Sequence, residues 1–177
     1  LIGRKLKGLD GVISVSVVEP ALSKQGWHFG DYPGSDRDTV NGATYLHEIY
    51  TLADPVHTGR ATVPVLWDKR RRTIVNNESA DILRMLNDGF GALATGEPDL
   101  YPADLRPEVD TLNAAIYPAL NNGVYRAGFA TTQIAYDEAV AGVFASLDTL
   151  EERLTAGGPF LTGARFTEAD IRLFVTL

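Results

Sequence analysis

An α/β unit followed by an all-helical unit is the fold class that the sequence predicts, and three observations predict it. Strand-like and helix-like periodicities alternate up to about residue 88. A stretch rich in Gly and Pro, without a sustained period, then runs over residues 89–106. Beyond it, apolar residues recur mostly at three- and four-residue steps to the end of the chain at residue 177. A chain of 177 residues can bury one sizeable core or two small ones.

Residues 1–9 read as the tail of a helix, because they carry basic residues without the long apolar core and small-residue cleavage site of a signal peptide. In residues 12–18, Ile13, Val15 and Val17 share one face and Ser14 and Ser16 the other, which predicts a strand. Residues 19–41, rich in Gly, Pro and Asp, predict a loop, and Tyr45, Leu46, Ile49, Tyr50 and Leu52 a short helix. Val63, Val65 and Leu66 suit a buried strand, residues 69–72 a hairpin tip, and residues 73–76 the returning strand. Asn77 then suits the cap of a helix with Glu78 and Ser79 in its first turn, Ile82, Leu83 and Leu86 on its inner face, and an end before Gly89.

After the linker, Pro107 at a favoured first position opens a helix with Val109, Leu112, Ile116, Leu120 and Val124 on one stripe. Thr131 is the expected cap of a longer helix, whose inner face is Ile134, Val140, Val143, Phe144, Leu147, Leu150 and Leu154. A third helix begins at Thr167, with Asp170 three residues on so that the two cap each other's amides. The chain opens without Met and stops inside an apolar helical pattern, so a fragment cut at both ends is expected.

Composition narrows the function. An apolar fraction of 45% with 22% charged residues is that of an ordinary soluble protein, and no run approaches the roughly 20 apolar residues that a membrane span needs. A net charge of −7 argues against a nucleic-acid partner, and residues 69–72 read as a solvated turn. No cysteine is present, so no disulfide or thiolate metal site is expected, and a reducing, cytoplasmic location fits. His28, His47 and His57 lack the spacing of a metal site. No phosphate-cradling Gly loop, nucleophile elbow or glycosidase-like carboxylate pair occurs.

What remains is the mouth of the helix after the second hairpin strand, where unsatisfied N–H groups can hold a carboxylate. Its residues carry a resemblance. Residues 62–67, 76–79 and 82–85 resemble the glutathione-binding half of a glutathione S-transferase. The wording Val63-Pro64-Val65-Leu66-Trp67-Asp68-Lys69, with Ile74-Val75-Asn76-Asn77-Glu78-Ser79, resembles the glutathionyl-hydroquinone reductases, the xi class. So do Trp27-His28-Phe29, upstream, and residues 121–130 around Tyr125, downstream.

The resemblance implies a thioredoxin-like domain lacking its first strand over residues 1–90, a linker over 91–106, and an incomplete helical domain over 107–177. It implies a cis bond before Pro64 that frees the Val63 main chain for the cysteinyl part of glutathione, whereas the bare residues also fit an edge-strand proline. Glu78 would take the ammonium and Ser79 the carboxylate of the γ-glutamyl group, or both would simply start a helix. Arg60 would meet a glutathione carboxylate, and Trp27 would pack over the tripeptide or pin its own loop. Tyr125 reads equally as a hydroquinone-pocket residue and as a core tyrosine, and Trp67 as core. The implied partners are glutathione as co-substrate, glutathionylated hydroquinones and a second copy of the chain, with no metal, nucleic acid or membrane. The implied reaction is glutathione-dependent reduction of glutathionyl-hydroquinones by a cysteine that would precede Leu1. A non-catalytic binding or assembly module, and a general transferase, are the alternatives.

Overall fold

The early part of the chain is organised around a hairpin. In the computed structural model, which describes residues 1–177, β1 (Leu66–Asp68) pairs antiparallel with β2 (Thr73–Asn76), Trp67 opposite Ile74 and Asp68 opposite Thr73. Asp68 closes the turn: its Oδ1 accepts from the Arg70 and Arg71 amides at 2.8 and 2.9 Å, and its carbonyl accepts from the Arg72 amide at 2.8 Å. These amides, that of Arg71 foremost, hold the Asp68 carboxyl below the usual carboxylate range. The four basic residues of the tip are all exposed.

An earlier helix, α2 (Leu46–Ala53), buries Leu46, Ile49 and Tyr50, the i, i+3, i+4 face that the sequence predicts. With Phe29 they form a core against which Val18, Trp27, Ala43, Ala61, Val65, Trp67 and Ile74 pack. Its start is held by Glu48, whose Oε2 accepts from the Thr44 and Tyr45 amides at 2.7 and 3.3 Å. After β2, α3 (Ser79–Asp88) buries Leu83 and Leu86. Its cap is Glu78 and not Asn77. The Asn76 Oδ1 accepts the Glu78 amide at 2.6 Å and turns the chain there, while the Asn77 amide group reaches across to the Thr62 hydroxyl at 3.3 Å.

The strand expected at 12–18 does not form. Residues 14–19 take no regular structure, and their bonds are single links: the Ser14 hydroxyl accepts from the Lys69 Nζ at 2.8 Å, the Val17 amide donates to the Asp36 carboxylate at 2.9 Å, the Asp36 amide to the Val17 carbonyl at 2.8 Å, and the Glu19 amide to the His28 carbonyl at 2.8 Å. Alternation alone makes a chain extended; a ladder needs a neighbouring strand in register. The first hairpin strand is likewise shorter than expected, since residues 63 and 64 precede the ladder and are exposed.

By contacts the chain divides into Leu9–Gly89 and a second unit of Leu1–Gly8 with Phe90–Leu177. The helix α1 (Ile2–Leu6) joins the later segment because the Gly96 amide donates to the Lys7 carbonyl and the Lys7 Nζ to the Pro98 carbonyl, both at 3.1 Å.

In that second unit, α4 (Arg106–Ile116) starts one residue before Pro107 and passes through a π-helical turn, Tyr117–Asn121, into α5 (Asn122–Gly128). Pro118 explains the wide turn, because it has no N–H for the regular ladder. The Arg126 guanidinium donates to the Pro118 carbonyl at 3.2 Å. Val109, Leu112, Ile116 and Leu120 are buried, as their stripe predicts. They pack with Leu150 of α6 (Gln133–Gly157), with Leu161, and with Ala169 and Leu173 of α7 (Glu168–Phe174). Gly123 allows α5 to meet α6 closely, since a β-carbon there would stand 2.9 Å from a Val143 methyl. Ile134 and Phe144 of the expected inner face are exposed instead, at 73% and 61%. Phe144 sits a step off the line through Val143, Leu147, Leu150 and Leu154, and Ile134 lies in a first turn that the core does not reach. Thr167 and Asp170 cap α7 as expected, the Thr167 amide donating to Asp170 Oδ2 at 2.8 Å. No helix is long and apolar enough to cross a membrane.

The cap of α6 is Thr132, whose hydroxyl accepts the Ala135 amide at 3.2 Å, and not Thr131. Thr132→Ala is therefore expected to lower stability by about 1 kcal/mol in urea denaturation, and Thr131→Ala to stay within about 0.5 kcal/mol of the unchanged protein. The reverse order of the two variants would move the cap back to Thr131.

Candidate functional site

The candidate site belongs to the Leu9–Gly89 unit and is built from the segment leading into β1 and the start of α3. The Val63–Pro64 peptide is cis, and Val63 is 42% exposed with its main chain ahead of the ladder. The neighbouring Thr62 is clamped by the Tyr50 hydroxyl, which donates to the Thr62 carbonyl at 2.8 Å and accepts the Thr62 amide at 3.2 Å. That pairing leaves the next residue, Val63, presented to solvent rather than to the core. The Asn77 bond to the Thr62 hydroxyl ties this segment directly to the approach to α3.

At α3 the first helical bond runs from the Ile82 amide to the Glu78 carbonyl at 2.9 Å, so the amides of Ser79, Ala80 and Asp81 lie ahead of the ladder. Glu78 makes no side-chain cap bond, and both Glu78 and Ser79 are exposed. A hydroxyl, a carboxylate and a set of helix-mouth amides therefore stand together, a combination suited to an amino-acid head group: amides and hydroxyl for its carboxylate, Glu78 for its ammonium. The exposed Arg60 lies at the end of the 54–60 loop, next to Ala61, which packs on the core. Trp27 is half-buried against the same core, and its carbonyl accepts the Leu46 amide at 2.9 Å.

Tyr125 belongs to the other unit and is 64% exposed, its ring stacked on Phe129 with centroids 6.4 Å apart and planes 9° apart. Trp67 packs on the core as expected, with its indole nitrogen buried and without a hydrogen-bond partner. Two residues that shape the site escaped sequence reasoning. Tyr50 reads only as one more apolar position of α2, and its hydroxyl acquires a role when Thr62 arrives 12 residues later. Asn77 reads as a cap and serves as a cross-link. No cluster of three or more His, Asp or Glu side chains is arranged to hold a metal ion.

The thioredoxin-like arrangement of the first part, with its cis-proline segment and helix mouth, and the helical second part define a glutathione S-transferase. The N-terminal domain of that family matches residues 1–88 and its C-terminal domain residues 133–177, and the chain belongs to the glutathione S-transferase family. Within it, the chain resembles the xi class. It is 55% identical over its whole length to 56% of glutathionyl-hydroquinone reductase PcpF of Sphingobium chlorophenolicum. It superposes with a TM-score of 0.95 on the glutathione-bound structure of YqjG, a glutathione transferase homolog from Escherichia coli K-12, with 55% identity over 99% of this chain and 57% of that one. The corresponding values for the glutathione S-transferase Xi of Phanerochaete chrysosporium are 0.92 and 48%, over 99% and 60%. The chain thus spans about half the length of the curated relatives it matches.

Proposed function

We propose that the whole protein uses glutathione to reduce glutathionyl-hydroquinones to hydroquinones. The observation that carries this reading is the presentation of the Val63 main chain, ahead of cis Pro64, beside a helix mouth that Asn77 ties to the same segment. In this reading Val63 pairs by its main chain with the cysteinyl part of glutathione. Ser79 and the amides of α3 hold the γ-glutamyl carboxylate, Glu78 its ammonium, Arg60 the other carboxylate, and Trp27 packs over the tripeptide. Tyr125 offers its phenol to a hydroquinone hydroxyl, its exposure supporting a ligand-facing role. Residues 1–90 are the glutathione-binding domain, 91–106 the linker and 107–177 part of the helical domain. The similarity to a reductase of that name and to a glutathione-bound homologue supports the assignment.

The reaction requires a thiolate, and none of the 177 residues is a cysteine. The nucleophile is therefore assigned to a cysteine preceding Leu1, at the start of the helix whose tail is α1. Its thiolate attacks the thioether sulfur and breaks the bond to the aromatic ring. The ring carbon takes a proton to give hydroquinone, and a protein–glutathione disulfide remains. A second glutathione, as thiolate, attacks that disulfide, releasing glutathione disulfide and restoring the enzyme thiolate. A cytoplasmic homodimer completes the proposal.

The test is to mix the full-length protein with a glutathionyl-hydroquinone and glutathione and follow both products. One hydroquinone and one glutathione disulfide per turnover are expected, with no turnover from residues 1–177 alone. Conjugation of glutathione to an electrophile without reduction would make the protein a general transferase, and glutathione binding without either reaction would make it a binding module.

A further inference from the structure

We propose that Tyr50 is a positioning residue, its hydroxyl setting the direction in which the Val63 N–H is offered to the cysteinyl carbonyl of glutathione; the inference rests on the pairing of Val63 with glutathione proposed above. Tyr50 lies in α2, four residues after Leu46, and is buried at 5% exposure in one cluster with Phe29, Leu46 and Ile49. Its ring also meets the His57 imidazole, centroids 5.0 Å apart and planes inclined by 45°. His57 is held in turn through its amide, which donates to the Asp54 carbonyl at 3.0 Å. The phenol oxygen is thus carried on a ring fixed both by a helix and by the 54–60 loop.

Both hydrogen bonds of that oxygen go to one residue. The hydroxyl donates to the Thr62 carbonyl at 2.8 Å and accepts the Thr62 amide at 3.2 Å, as a neighbouring strand does for one residue of an antiparallel pair. The consequence falls on the next residue. The peptide joining Thr62 to Val63 is trans, and in a planar trans peptide the carbonyl and the N–H point in opposite directions. With the Thr62 carbonyl turned to Tyr50, the Val63 N–H points away from it, and that N–H has no partner within the protein.

The Asn77 bond engages the side chain of Thr62 and ties the segment to the approach to α3, whereas the Tyr50 hydroxyl holds the peptide itself. Without the phenol oxygen, the Thr62–Val63 peptide can turn about the single bonds on either side of it. Thr62 is exposed, so its amide and carbonyl then return to water at small cost to folding. The cost to binding is larger, because a ligand carbonyl must then select one of several peptide orientations in place of meeting an N–H already aimed at it.

The test is calorimetric titration of the full-length protein with two ligands: glutathione, and its isostere with a trans carbon–carbon double bond in place of the peptide between cysteine and glycine, which lacks the cysteinyl carbonyl. Tyr50→Phe removes one oxygen and keeps the ring. It is expected to bind glutathione about three- to tenfold more weakly, the worth of one uncharged hydrogen bond, and to bind the isostere as the unchanged protein does. Ile49→Val trims the same core without touching the hydroxyl, and is expected to lower the melting temperature while keeping both affinities. A Tyr50→Phe variant that retains its glutathione affinity overturns the inference. So does one that loses both ligands alike, the mark of a merely structural tyrosine, or an Ile49→Val variant that loses glutathione selectively. The unchanged protein separates the two layers of the argument. If it binds the isostere as tightly as glutathione, the pairing of Val63 itself fails. If it prefers glutathione and Tyr50→Phe prefers it equally, only the role of Tyr50 fails.

Discussion

Combined replacement Glu78→Ala and Ser79→Ala is expected to weaken glutathione binding about a hundredfold, and each single change about tenfold. The magnitude follows from the groups removed. Each side chain would contribute one hydrogen bond to a charged partner, at the lower end of about 1.5–3 kcal/mol, and about 1.4 kcal/mol corresponds to a factor of ten. Binding is not abolished, because the α3 amides ahead of the ladder are main-chain donors that neither change touches. Stability is expected to be nearly unchanged, since both side chains are exposed and Glu78 makes no cap bond. Calorimetric titration checks the affinity and urea denaturation the stability. Full affinity in the double variant would remove the helix mouth from the site.

Ile116→Ala is expected to destabilise the protein by about 3 kcal/mol, within the usual 2–5 kcal/mol for an aliphatic core residue cut back to alanine. Ile116 is 1% exposed and lies in the cluster joining α4, the π-helical turn, α6 and α7. Its removal leaves a void within that close-packed cluster. Ile134→Ala is the matching control, at 73% exposure, and should change stability by less than about 0.5 kcal/mol. Urea denaturation of the two variants decides the matter. Equal losses would mean that the apolar stripe of α4 does not mark the core.

Much of the fold was legible because helical burial leaves a local record. Leu46, Ile49 and Tyr50 in α2, and Val109, Leu112, Ile116 and Leu120 further on, are apolar at helical spacing and are buried together. The cap of α7 was legible for the same reason, since Thr167 and Asp170 satisfy each other's amides within four residues. Strands leave a weaker record. Residues 12–18 alternate correctly and yet form no ladder, Val17 bonding singly to Asp36, because alternation sets which way side chains point and not which strand lies alongside. Cap positions slipped by one residue, at Thr132 and Glu78, where neighbouring polar residues compete for the same amides.

By itself, the sequence determined the order of α/β and helical segments, the apolar faces that pack, the absence of cysteine and the motif carrying the family resemblance, all of which depend on residue identity over short spans. Only the tertiary structure decided that Tyr50 would clamp Thr62, that Asn77 would cross-link instead of cap, and that Tyr125 would face solvent. The physical reason is reach. A hydrogen bond is made within about 3 Å between partners that can lie a dozen or more residues apart, and no local pattern of polar residues says which of them the packed chain will bring together.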